Sequence, residues 1–135
     1  MKPSSTDLNN IAGFYGEKED SLDMVYIGGS AAFVYYESLR AFEQVGIASY
    51  NFATNRMQAE LYKMMIKEVL KRQKPEVIVI DARAFQYREK DQPPTEVAYR
   101  NVLTGMPLSI NKIEFIHENV EKYLNEDDTS YYFDI

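Results

Sequence analysis

The stretch Asp23-Met-Val-Tyr-Ile-Gly-Gly-Ser30-Ala-Ala places the strongest limit on how this chain can fold. Residues 24–27 are apolar without alternation, as expected of a strand covered on both faces. Two glycines then break the run, and helix-forming residues follow Ser30. A strand, a tight turn and a helix start within ten residues form the first arm of a βαβ unit, with the Ser30 hydroxyl at the carboxyl end of the strand. In open α/β sheets that edge is where ligands bind, and a helix start offers main-chain N–H donors. Ser30 is therefore the first residue to examine for chemistry.

The pattern continues downstream. Phe33, Val34, Leu39, Ala41 and Phe42 predict a helix that closes near Gly46, a residue suited to a C-terminal cap. Residues 47–52 read as a second strand. A helix is predicted over 57–73, where Leu61, Met64, Met65, Glu68 and Val69 recur at three- and four-residue spacing and Lys63, Lys67 and Lys71 take the other side. Its methionines read as core filling rather than ligands. Lys74-Pro75 ends that helix, and residues 77–80 are the clearest buried strand in the chain. Strand, helix, strand, helix, strand in about 60 residues is the pattern of a parallel sheet with crossover helices. At the amino end, residues 1–22 hold only a small apolar island at 11–15 and are expected to be an irregular lead-in. Residues 86–94 are expected to form a loop. A last helix is predicted over 111–124, capped by Ser109, with Ile113, Ile116, Val120 and Leu124 on its buried stripe.

Composition narrows the function. A chain of 135 residues, 45% hydrophobic and 27% charged, fits one domain spanning 1–135. Its formal charge of −6 argues against a nucleic-acid surface, which needs clustered Lys and Arg. Lys67, Lys71, Arg72 and Lys74 do cluster, at a helix end where they complement the dipole. With no cysteine there is no disulfide, thiolate nucleophile or Cys-based zinc site. No metal or cofactor is expected. Receiver-type magnesium chemistry needs several acidic residues at the strand ends, and only Asp81 is so placed. Asp81 itself reads more simply as a polar residue finishing a buried strand and bonded to nearby amides. No run approaches the roughly 18 apolar residues of a spanning helix, and residues 1–7 lack the apolar core of a signal peptide. The compartment stays open.

A serine hydroxyl needs a base to take its proton and N–H donors to meet the oxyanion. The one histidine, His117, falls inside the last predicted helix among Phe115, Ile116 and Val120, and reads as a surface or core residue rather than a base. At this point the residues resemble a known family. The order strand, Gly28-Gly29-Ser30, helix, then Tyr50-Asn51-Phe52-Ala53 after the second strand is similar to the SGNH (GDSL-like) hydrolases, more narrowly to bacterial SGNH-like proteins. The similarity extends over Ile11-Ala-Gly-Phe-Tyr15, Ser21-Leu-Asp-Met-Val-Tyr-Ile27, Gly46-Ile-Ala-Ser-Tyr-Asn51, Lys74-Pro-Glu-Val-Ile-Val-Ile-Asp81 and Met106-Pro-Leu-Ser-Ile-Asn-Lys112.

The resemblance implies a three-layer α/β/α, flavodoxin-like fold whose short parallel sheet has the order 2-1-3 and is incomplete relative to the family. It implies Ser30 as nucleophile toward a small-molecule or carbohydrate acyl ester, with the Ser30 amide in the oxyanion hole. Ala53 stands where the family has a glycine donating its N–H. The family's asparagine after strand three is missing from Asp81-Ala-Arg83-Ala-Phe85, with Asn55 as a substitute. Gly29, Thr54, Asp81 and Arg83 are the expected substrate contacts. The family's Asp-x-x-His element does not occur in the 135 residues. The expectation is thus a truncated, inactive esterase or acyltransferase domain, from a parent exported or anchored at a membrane. Loss of a triad member costs several orders of magnitude in rate.

The alternative expectation is a non-catalytic α/β module whose Gly-Gly-Ser turn binds an anion. Tyr35, Tyr36 and Tyr50 are expected near the site edge. An open edge on strand three would invite association, so a homo-oligomer is expected there, or pairing with the chain's own tail.

Overall fold

The structure is a computed structural model that describes residues 5–86 and 95–120. Its sheet has three parallel strands, β1 (Met24–Gly28), β2 (Ser49–Ala53) and β3 (Val77–Ile80), in the order β2-β1-β3. This is the small α/β fold and strand order expected. Register pairs Val25 with Tyr50 and Ile78, and Ile27 with Phe52 and Ile80, so these residues share one face.

That face is densely covered. Helix α1 (Ser5–Gly16) lies on it through Ile11 and Phe14, whose ring stacks on Phe52 at 4.4 Å. Helix α4 (Glu60–Arg72) adds Leu61, Met64, Met65 and Val69, confirming the methionines as core filling. Helices α5 (Thr95–Leu103) and α6 (Ile110–Asn119) pack behind, α5 on α1 and α6 on α4. The opposite face carries α2 (Ser30–Tyr35) and α3 (Ser38–Val45).

Three expectations need correction. Residues 5–16 are helical, not an irregular lead-in. The island at 11–15 is part of a helical stripe, and Gly13, which argues against a helix in sequence, is there for a close approach. A Cβ at Gly13 would lie 2.5 Å from Tyr50 Oη, which donates to the Asn10 carbonyl at 2.7 Å. The single helix expected from Ser30 to Gly46 is broken at Tyr36 and Glu37, both extended. The Asn51 side-chain amide donates to the Tyr36 carbonyl at 3.0 Å, replacing the partner a continuous helix would give, while Gly46 does cap α3 at φ 72°. Strand β3 is not fully buried: Val77 and Ile80 are 51% and 40% exposed, because its outer edge has no neighbouring strand among the described residues. Helix α5, for whose residues the sequence carries no expectation above, is a further element.

The last helix is as expected at its start. The Ser109 hydroxyl accepts from the Lys112 amide, and Ile116 and Val120 are buried, whereas Ile113 is half-buried. Leu124, and most of the 86–94 loop, lie outside the described residues. None of the four residues of the basic cluster forms a free patch. Lys67 pairs with Glu114 and Lys74 with Asp20, Arg72 donates to the Tyr15 carbonyl, and Lys71 lies in the last turn of α4.

One polar cluster inside the core was hidden by its place on the stripe. Glu68 is buried and accepts from Tyr15 Oη at 2.8 Å, Ser109 Oγ at 2.9 Å and Asn111 Nδ2 at 2.8 Å. It ties α1, α4 and the start of α6 together. Burial and the Glu68 charge push the Tyr15 hydroxyl well above its ordinary range, so it remains a donor.

Candidate active site

Register brings Gly28 opposite Ala53 at the carboxyl edge of the sheet, and two further hydrogen bonds carry the ladder past the strands. The Thr54 amide donates to the Gly28 carbonyl at 3.2 Å and the Asp81 amide to the Ile27 carbonyl at 3.0 Å. Three loops converge there as a result: Gly28-Gly29-Ser30, the turn after β2, and the short 3₁₀ segment Ala82–Phe85 that follows Asp81. Ser30, the first residue of α2, is exposed and lines a cleft of about 120 Å³. Of the expected substrate contacts, Gly29, Asp81 and Arg83 line it too.

Asp81 organises this edge. Its Oδ1 accepts from the Arg83 amide at 3.0 Å, and the Arg83 guanidinium adds Nε contacts of 3.2 Å to both oxygens and an Nη2 contact of 2.8 Å to Oδ2. The carboxylate also accepts from the Gly29 amide. Hydrogen bonds from the Arg83 side chain are the main reason the Asp81 carboxyl lies below its usual range, and Asp81 in turn raises Arg83. Gly28 makes room for this: a Cβ there would lie 2.7 Å from the Cβ of Asp81. The simpler reading of Asp81, a strand-ending carboxylate bonded to nearby amides, is the one the geometry shows. Its oxygens are occupied and its basicity is reduced, which is the wrong combination for a general base.

The remaining expected residues are not brought to the cleft. Ala53 is fully buried at the end of β2, Thr54 is buried with its amide committed to Gly28, and Asn55 is half-buried outside the cleft lining. His117 is exposed on α6 and also outside that lining. Tyr35, Tyr36 and Tyr50 are outside the lining: Tyr35 is exposed within electrostatic reach of Arg83, Tyr36 bonds Ser49 at 2.8 Å, and Tyr50 reaches α1 on the other face.

No family model, curated protein or solved structure matches the chain. The site is therefore read from its own residues.

Arg56, Met57 and Tyr62 complete the lining and were not anticipated. Arg56 belongs to the turn between β2 and α4, where its backbone is left-handed at φ 57° and its side chain is exposed. Tyr62, in the first turn of α4, donates to the Asp81 carbonyl at 2.6 Å. Burial, then the Asp81 charge, push its hydroxyl above the ordinary tyrosine range, which keeps it a donor. For Tyr62 a signal existed: an aromatic on the sheet-facing side of a crossover helix, one turn from its start, points back to the strand ends. For Arg56 there was none, since only the path of the turn brings it to the cleft. Among the described residues no group of three His, Cys, Asp or Glu side chains could hold a metal ion, and no helix is long and apolar enough to cross a membrane.

Proposed function

We propose that the chain carries the acyl-ester site of an SGNH-type serine esterase or acyltransferase, with Ser30 as the nucleophilic hydroxyl, and that its own described residues bind an ester without turning it over. The observation that carries this reading is the position of Ser30: exposed, at the handover from the central strand to a helix, in a cleft. An ester carbonyl seated against Ser30 would meet main-chain donors of the turn, while Asp81 fixes that turn through Gly29. Among the described residues, proton removal from Ser30 lacks an agent: Asp81 is held by Arg83, and His117 lies elsewhere. The test is an amide chemical-shift titration with dimethyl succinate, a plain diester. Shifts at Gly29 and Ser30 support the reading, and their absence at saturating ester refutes it.

A second reading, an anion-binding α/β module, is favoured by Arg56 and Arg83 in the same lining. It is weakened by the Gly29 amide, which is already committed to Asp81. Here inorganic phosphate raises the Tm and the esters leave Gly29 and Ser30 unmoved. For assembly we infer a homo-oligomer formed through the outer edge of β3, which pairs with no strand among the described residues and whose Val77 and Ile80 are exposed. Sedimentation showing only monomer at high concentration would refute it.

A further inference from the structure

The Ser30 cleft has an uneven charge. Arg83 is cancelled by Asp81, which holds it through side-chain and main-chain bonds. Arg56 forms no ion pair among the described residues, yet lines the cleft beside Ser30. Among the described residues this leaves one unbalanced positive charge at the site, in a chain whose formal net charge is −6. The turn that presents it is costly. A left-handed backbone at an arginine is unfavourable relative to glycine, and Thr54 Oγ1 and Gln58 Oε1, on either side in sequence, are buried without a hydrogen-bond partner among the described residues. Such costs persist where a turn is shaped for something other than stability.

From this we infer that Arg56 is a specificity-determining residue: the cleft selects esters that carry a carboxylate or another anionic group near the ester carbonyl. The inference rests on the proposed ester site at Ser30. With the carbonyl at Ser30, the anionic end of the ligand faces Arg56, whose planar guanidinium can hold a carboxylate through two parallel N–H donors. Met57 and Ala84 add apolar surface to the same lining. Arg83 supplies less of the attraction, since its charge is already met.

The experiment compares monomethyl succinate, which keeps one carboxylate, with uncharged dimethyl succinate on the full chain, read at the Gly29 and Ser30 amides. The monoester is expected to bind about tenfold more tightly, the size of one charge-assisted contact. Arg56→Gln brings the monoester affinity down to that of the diester measured on the same variant, while Arg56→Lys keeps most of the preference. Equal affinities for the two esters, with both moving the amides, overturn the anion selection and leave the ester site standing. No response to either ester overturns the ester site itself. A preference that survives Arg56→Gln overturns the role of Arg56, and inorganic phosphate binding as tightly as the monoester overturns the contribution of the ester group.

Discussion

The two faces of the sheet differ in how their helices are used. On one, α1 and α4 bury their apolar stripes completely: Ile11, Phe14, Leu61, Met65 and Val69 have no exposed surface. On the other, α3 is strongly amphipathic yet has no buried residue, and Leu39, Phe42 and Val45 are 70%, 57% and 67% exposed. Helices α3 and α4 carry the same kind of pattern in sequence. The pattern states which side of a helix is apolar, and leaves open whether anything in the same chain covers it. Stability is therefore concentrated on the α1–α4 face, whereas the cleft draws its residues from the loops where the strands end.

The comparison breaks first at Phe52. Phe52→Ala removes a fully buried ring stacked on Phe14 and should cost about 3–5 kcal/mol in chemical denaturation. A cost below 1 kcal/mol would mean that this face is not the core. Glu68→Ala strands three donors inside the same half and should cost about 2–3 kcal/mol, with Tyr15→Phe costing less because only one bond is lost.

At the strand ends, Asp81→Asn should lower the Tm by a few degrees near neutral pH and flatten its acid dependence. The Asp81 carboxyl is lowered in the folded chain, so its stabilising contribution is present above the ordinary carboxylate pKa of about 3.9 and is lost as pH falls through the folded value. A wild-type and variant difference that stays constant from pH 7 to pH 2 would contradict the Arg83 pairing as its source. The smallest effect belongs to α3: Phe42→Ser should change monomer stability by less than about 0.5 kcal/mol. A cost comparable to that of Phe52→Ala would show that Phe42 is buried in solution, by this chain or by another copy.

Much of this architecture was legible beforehand. Residues 24–30 alone predict the strand, the turn and the exposed serine, because a continuous apolar run ending in two glycines has few other solutions. The Ser109 cap and the α4 stripe were readable for the same local reason. What was not readable is tertiary. Gly13 sits in a helix because Tyr50 needs the space, Tyr36 leaves a helix because Asn51 takes its carbonyl, and Arg56 reaches the cleft only through the path of its turn. Glu68 was visible on an apolar stripe, but its three donors come from segments 41 to 53 residues away. At the site, Ser30, Gly29, Asp81 and Arg83 were identified and do converge, while Ala53, Thr54 and Asn55 were placed by analogy with a longer motif and do not line the cleft.

The account turns on Ser30 being an accessible hydroxyl with no base beside it among the described residues. Hydrolysis of p-nitrophenyl acetate by the wild-type chain and by Ser30→Ala, at equal concentration and pH 7, tests this directly. Indistinguishable rates are predicted. A wild-type rate about tenfold or more above that of the variant would contradict the account, by showing that these 135 residues already contain what activates the serine.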